Sequence, residues 1–358
     1  MKNISTKKML TIIHDPVATA KAVSLRYVND TTPGIERIKK GKNFTYKLEN
    51  KTVKDEQVLQ RIKSLVLPPA WESVWICPHE QGHLQATGKD ALSRKQYRYH
   101  PQWNEIRSQT KFFRLYHFGS LLPKMRLQIE KHLAKENLSK EKVLAAVVSL
   151  MERTHIRIGN SMYEKLYGSY GLTTLKDQHV EVKGGNVKFE FVGKKGVKHT
   201  INLKNKKLSN IVQKCKDIPG KDLFQFYDEQ GQRHCIDSGM VNEYIKEISG
   251  GENFTAKDFR TWAGSIEALM ALHELGEYDT QKEAKQKSIE ALDKVSGLLG
   301  NTRTVCKKYY VHPHIFSLYE DKGLENYLKH LDKIEKNDNK SDLTAEEKIL
   351  MKILSSNH

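Results

Sequence analysis

Acidic residues are the under-represented ionic class in this chain: 43 Asp and Glu stand against 60 Lys and Arg, a formal charge of +17. The excess is spread over the whole length rather than held in one tail, which implies a folded protein with a positive surface and nucleic acid as its partner. An anionic membrane is the competing polyanion. The chain has no apolar run near the ~18 residues needed to span one and no Arg/Lys-rich amphipathic anchor. Residues 1–11 lack the apolar core and small-residue cleavage site of a signal peptide. Cysteine is sparse as well. Cys77, Cys215, Cys235 and Cys306 stand far apart with no C-x-x-C pair, so neither a zinc site nor a disulfide framework is implied and a reducing cytoplasm is expected. No internal repeat is present, and 358 residues suffice for two domains.

Patterning divides the chain near Pro101 into an N-terminal domain, 1–100, and a mainly α-helical domain, 101–358, with about 10 residues of latitude. Residues 1–22 read as a loose arm with some helix. Strands are expected at Leu25–Val28, Phe44–Leu48, Ser73–Cys77, His83–Thr87 and Gln96–Tyr99, and a helix over Asp55–Leu65, where Val58, Ile62 and Leu65 keep helical spacing. Beyond Pro101 the expectation is helices over 105–134 and 140–152, a short one carrying Met162, Tyr163 and Leu166, and a three-stranded meander from 180 to 203. In the meander Val187, Phe189 and Phe191 alternate with Lys188 and Glu190. Helices follow at about 205–216, 238–248, 256–275, 280–298 and 303–311. Two amphipathic ones are expected in the last 40 residues, the second opened by a capping box from Thr344 to Glu347, and Lys333–Asp342 reads as a surface linker. The fold class is therefore α+β: a small β-rich N-terminal domain and a larger, mostly helical one.

Several residues carry candidate chemistry. Gly300–Val311 reads as a short helix, capped by Thr302 and stopped before Pro313, that places Tyr309 and Tyr310 over a basic surface. A tyrosine hydroxyl attacks a phosphodiester only with cations close by to stabilise the phenolate and the charge growing on phosphorus. The bland alternative is that both tyrosines pack. Lys194, between Gly193 and Gly196 in a hairpin turn, is either a solvated lysine or a proton donor to a leaving oxygen. Arg157, flanked by Ile156 and Ile158, either pairs with a carboxylate or clamps phosphate. Thr255–Asp258 resembles a capping box that sets Lys257 and Arg260 in the first turns of a helix, where free N–H groups favour phosphate. Lys89, Arg94 and Lys95 are interleaved with Tyr97 and Tyr99, as in a phosphate-contacting strand or a solvated edge. Ser238 reads as an N-cap.

Together these residues stand in the order arginine, turn lysine, K-x-x-R, and asparagine nine residues before tyrosine. Added to them are Leu25-Arg26-Tyr27-Val28, Pro68-Pro69-Ala70-Trp71, Val74-Trp75-Ile76-Cys77, Gln85-Ala86-Thr87-Gly88 and Arg94-Lys95-Gln96-Tyr97-Arg98-Tyr99-His100-Pro101. The C-terminal part adds Arg157-Ile158-Gly159-Asn160, Gly171-Leu172-Thr173-Thr174-Leu175, Phe191-Val192-Gly193-Lys194, Lys257-Asp258-Phe259-Arg260-Thr261 and Gly300-Asn301-Thr302. Over nearly its whole length the chain resembles the type IB DNA topoisomerases, specifically the compact poxvirus-like group found in bacteria.

That resemblance implies two domains forming a C-shaped clamp around double-stranded DNA, and a monomer in the cytoplasm, at the nucleoid, that relaxes positive and negative supercoils without ATP, metal or other cofactor. It implies Tyr310 as nucleophile, chosen over Tyr309 by its distance from Asn301. Arg157 and Arg260 would hold the scissile phosphate, and Lys194 would be general acid with Arg157 assisting. Asn301 stands where the viral enzymes carry histidine, so it donates a hydrogen bond without titrating. Tyr163, Lys257, Lys89, Arg94, Lys95 and Ser238 would contact DNA. Lys195 replaces an acidic residue of the viral pattern. The competing readings are a tyrosine recombinase, which usually shows H-x-x-R where this chain has Lys257-Asp-Phe-Arg260, and a non-catalytic DNA-binding protein.

Overall fold

The structure, a computed structural model, describes residues 15–41, 43–91, 93–329, 331 and 341–356. Its contacts divide the chain into two compact units that meet between Arg114 and Leu115.

The first unit is built on a six-stranded antiparallel sheet. Its strands are β1 (Ile35–Lys40), β2 (Asn43–Leu48), β3 (Lys51–Thr52), β4 (Glu72–Ile76), β5 (Leu84–Lys89) and β6 (Lys95–Tyr99), in the spatial order β3-β2-β1-β4-β5-β6. The β2–β3 turn is made by Glu49 and Asn50, both at positive φ, the backbone that two-residue hairpins require. Helix α1 (Pro16–Ala22) precedes the sheet. Helix α2 (Glu56–Ser64) starts where the Asp55 carboxylate accepts from the N–H groups of Gln57 and Val58. Ile62 of α2 closes over Ile35, Val74, Ile76 and Ala86.

Two expectations are corrected here. Leu25–Val28 is extended but is no strand: Arg26 makes a single bridge to Gly82, while Leu25 turns into a small cluster with Ala20, Trp103 and Ile106. Conversely β1 went unforeseen because only Ile35 along it is buried, so its sequence, Ile-Glu-Arg-Ile-Lys-Lys, has no alternation to read. Residues 1–14 of the expected arm, and most of the linker, lie outside the described residues.

Helix α3 (Pro101–Leu133) begins with Pro at its first position, where a missing N–H costs nothing, and crosses the boundary between the units. The second unit continues with α4 (Lys140–Thr154), α5 (Ser161–Tyr167), the meander β7 (Val180–Lys183), β8 (Asn186–Val192) and β9 (Lys198–Lys204), then α6 (Lys206–Lys216). A short hairpin, β10 (Gln225–Tyr227) and β11 (Arg233–Cys235), had no counterpart in the sequence reading; three-residue strands are too short to show a period. Then come α7 (Ser238–Ile248), α8 (Ala256–Leu275), α9 (Gln281–Leu299), α10 (Arg303–Tyr309), α11 (Pro313–Glu320), α12 (Glu325–Leu328) and α13 (Ala345–Ser355). One core joins them, with α4 almost wholly buried inside it. Among the described residues no helix is long and apolar enough to cross a membrane, and no cluster of His, Cys, Asp or Glu is placed to hold a metal ion.

The closing helix, α13, is fastened to α3 by charge and to α8 by an indole hydrogen bond. Glu347 accepts two hydrogen bonds from Arg126, at 2.8 and 2.7 Å, and one from the Trp262 indole of α8 at 2.9 Å. It also completes the capping box of its own helix with Thr344. Arg126 binds Glu152 of α4 at 2.8 Å as well. Burial alone would raise the Glu347 pKa, but the Arg126 guanidinium holds it below the ordinary carboxylate value, and the same partners hold Arg126 above its own. Removing one member of such a pair strands the other charge. Glu347→Ala should therefore cost about 3–5 kcal/mol in denaturant unfolding. Because the folded carboxyl titrates below its unfolded value, the wild type should keep this contribution above that unfolded value. It should lose it as pH falls through the folded value, and the variant should not show that loss.

Candidate active site

The left-handed His155 ends α4 and turns the chain out so that Arg157 crosses between α4 and α5. One Arg157 nitrogen, Nη2, donates at 2.7 Å both to the Gly300 carbonyl and to Asn301 Oδ1. Arg260, in the second turn of α8, is 5% exposed. Its Nη1 donates to the His155 carbonyl and its Nη2 to the Leu299 carbonyl at 2.7 Å, while its guanidinium stands 5.4 Å from the centre of the Tyr310 ring. Among the described residues neither arginine forms an ion pair with a carboxylate. Carbonyl oxygens and an amide hold them in place without neutralising them. Burial lowers both pKa values, and for Arg260 the nearby Arg157 lowers it further, offset in part by the Tyr310 phenol. Burial, and then the Arg260 guanidinium, push the His155 imidazole down to about 4, so it stays neutral.

Two buried polar atoms here have no hydrogen-bond partner: Arg260 Nε and Asn301 Nδ2. Both are donors. Unmatched buried donors beside two uncompensated cations define a site built for an anion with several oxygens.

The structure separates the two tyrosines that the sequence left adjacent. Thr302 caps α10, accepting from the Val305 N–H. Tyr309 ends that helix 40% exposed, its ring within 6 Å of the Lys257 and Lys308 ammonium groups. Tyr310, just past the helix end, turns inward against Arg260. It lines an open cleft of about 270 Å³ together with Arg157, Tyr163, Lys194, Lys257 and Arg260. Lys194 reaches this cleft from the turn between β8 and β9, its ammonium 5.1 Å above the Tyr163 ring. Lys257 is placed by the capping box expected from Thr255 and Asp258: the Asp258 carboxylate accepts from Thr255 N–H and Oγ1.

The remaining candidates stand elsewhere. Ser238 is not an N-cap; Asp237 fills that place and accepts from Met240 N–H, leaving Ser238 as the first helical residue of α7. In the first unit Lys95 is paired with Asp30 at 2.6 Å and Arg94 with Asp90 at 2.7 Å, whereas Lys89 ends β5 exposed. The sequence reading missed His199, whose ring on β9 lies against Gly193, Gly300 and Arg157. No motif pointed to it, because its neighbours are all distant in sequence except those across the hairpin.

Fold and site together give a mostly helical unit in which a tyrosine stands beside one buried and one half-buried arginine that, among the described residues, have no carboxylate partner. Comparison with known proteins identifies the lineage. Residues 100–338 match the family described as eukaryotic DNA topoisomerase I, catalytic core, and residues 43–90 match the bacterial DNA topoisomerase IB N-terminal domain. DNA topoisomerase 1B of Acanthamoeba polyphaga mimivirus is 30% identical over 338 residues, covering 90% of this chain and 95% of the viral protein. DNA topoisomerase 1B of vaccinia virus (strain Copenhagen) is 26% identical over 300 residues, 80% of this chain and 90% of its own. DNA topoisomerase 1 of Daucus carota is 31% identical over 132 residues, 36% of this chain and 15% of the plant protein. This chain belongs to the type IB DNA topoisomerases and is an isomerase of that family.

The packing of Tyr310 can be tested directly. Gly264 lies one turn beyond Arg260 on α8, and a Cβ there would come within 2.6 Å of the Tyr310 carbonyl oxygen and 3.2 Å of its Cβ. Gly264→Ala should lower unfolding free energy by about 1–3 kcal/mol, measured in denaturant, because backbone on both sides must move.

Proposed function

We propose that this enzyme relaxes positively and negatively supercoiled duplex DNA by reversible transesterification at Tyr310. The Tyr310 oxygen attacks a phosphorus in one strand and gives its proton to water. The P–O5′ bond breaks, leaving a 3′-phosphotyrosyl link and a free 5′-hydroxyl. The duplex beyond the nick swivels, and the hydroxyl attacks back to restore the strand. The phosphodiester energy stays in the covalent bond, so the cycle consumes no ATP and needs no metal.

The observation that carries this reading is a buried guanidinium, Arg260, and a half-buried one, Arg157, without a carboxylate partner among the described residues, set with Asn301 beside the inward-turned Tyr310. Arg157 and Arg260 would hold the non-bridging oxygens of the phosphate. Asn301 Nδ2 and Arg260 Nε supply the further donors that a five-coordinate phosphorus, with its greater charge, would engage. Fixed donors of this kind typically contribute about 10²–10³-fold each. Lys194 would protonate the departing O5′, with Arg157 assisting. Tyr163 and Lys257, at the cleft, would contact DNA beside the scissile bond.

Lys89, Ser238, Arg94 and Lys95 are assigned to the DNA backbone, the last two after exchanging carboxylate for phosphate. Residues 1–100 and 101–358 are assigned as the N-terminal and catalytic domains. A monomer suffices, since one chain carries the whole catalytic set, and the cytoplasmic nucleoid is the assigned place of action.

Plasmid of either supercoil sign, incubated with the protein in EDTA without ATP, should relax, and detergent should trap a covalent protein–DNA adduct. Tyr310→Phe should lose both relaxation and adduct while still binding DNA, because only one oxygen is removed. Failure of the wild type to relax DNA, or an adduct persisting in Tyr310→Phe, would overturn the assignment.

A further inference from the structure

We propose that His199 is a positioning residue: its ring is the wedge that locks the turn carrying Lys194 against the loop that holds Arg157 and Asn301. The proposal rests on the function proposed above. It concerns how the proton donor and the phosphate-binding groups, which arise from separate elements, are kept in register.

His199 sits near the start of β9, directly across the β8–β9 ladder from Phe191. The two rings stack with centroids 5.0 Å apart and planes 20° from parallel, so the imidazole has a fixed floor. Above it lies Gly193, the residue before Lys194. A Cβ on Gly193 would come within 2.7 Å of the imidazole Cδ2 and Nε2. Gly193 has φ −89°, a backbone that any residue adopts, so it is the ring and not the turn that demands glycine there.

The ring also meets Gly300, where a Cβ would stand 2.9 Å from imidazole Cε1, 3.5 Å from Nε2 and 3.5 Å from an Arg157 nitrogen, so the Nε2 end of the ring is shared by both glycines. The Gly300 carbonyl and the Asn301 side chain are the two acceptors of Arg157. The imidazole thus fills the space between the lysine turn and the arginine–asparagine pocket and touches both. The Lys194 ammonium itself stands over the Tyr163 ring. The wedge accordingly sets where that ammonium stands relative to the phosphate. Burial, together with Arg157 and Arg260, keeps the imidazole neutral, which adds no third positive charge to the pocket.

A wedge that places the general acid has a signature that a merely structural residue lacks. Protonation matters when the leaving group is a 5′-oxygen and hardly at all when it is a 5′-sulfur, which departs as thiolate. Single-turnover cleavage would be followed on matched suicide substrates with 5′-oxygen and 5′-sulfur bridges. Wild type, Lys194→Ala, His199→Ala, His199→Phe and Gly193→Ala would be compared.

The expected result is a loss of roughly 10²-fold for His199→Ala on the oxygen substrate, the scale of effect when a catalytic group is misplaced by about an ångström. The sulfur substrate should recover nearly all of it. His199→Phe should restore most of the oxygen rate, because shape and not a ring nitrogen is what the wedge supplies. Gly193→Ala, which keeps the ring and displaces it, should repeat the His199→Ala pattern even if that variant does not fold. Equal loss on both substrates in His199→Ala or Gly193→Ala, a wild-type rate for either on oxygen, or a His199→Phe as slow as His199→Ala would each overturn the proposal. Absence of adduct in the wild type, or no sulfur rescue of Lys194→Ala, would instead sink the functional reading beneath it.

Discussion

The helical unit holds a buried guanidinium, Arg260, that has no carboxylate partner among the described residues. Placing a cation in a protein interior is expensive, and the usual remedy is a carboxylate, as Arg126 shows with Glu152 and Glu347 in the same unit. Arg260 is treated otherwise. Carbonyls at the end of α9 and just after α4 orient it without cancelling its charge, and Arg157 is held in the same manner by Gly300 and Asn301. Under the proposed function, these two positive charges are the groups that receive the phosphate of the DNA. A low-dielectric setting makes their attraction for a phosphate stronger than surface lysines could offer.

The neighbouring packing follows from this requirement. Helix α8 must hold still, because it carries Arg260 and receives the Tyr310 backbone at Gly264. The Trp262–Glu347–Arg126 network braces it from the side of α13, which gives the C-terminal segment a physical role although none of its described residues lines the cleft. Polar satisfaction is complete in that brace and incomplete in the site. The contrast separates what stabilises the fold from what serves the chemistry.

Much of this was readable beforehand, and the parts that were not share a cause. Helices α7 and α8 occupy the expected residues because caps and apolar spacing are local signals. The meander was legible from alternation in β8. Strand β1 and the β10–β11 hairpin were not, being too exposed or too short to carry a period. Leu25–Val28 misled because its apolar residues pack beside α3 instead of pairing in the sheet. In the site, residue types and order indicated Arg157, Lys194, Arg260, Asn301 and Tyr310. What could not be read was which arginine lacks a carboxylate, which tyrosine turns inward, or that His199 lies between two glycines more than a hundred residues apart in sequence. Those are facts of long-range packing, invisible to any window on the chain.

The central claim is that the inward tyrosine, held beside the unneutralised arginines, is the one that becomes bonded to DNA. The most direct test is to trap the covalent complex, trim the DNA with nuclease, digest the protein and locate the nucleotide-bearing residue by mass spectrometry. The account predicts a phosphonucleotide on Tyr310 and none on Tyr309. The modification on Tyr309, or on any side chain outside the cleft, would contradict it.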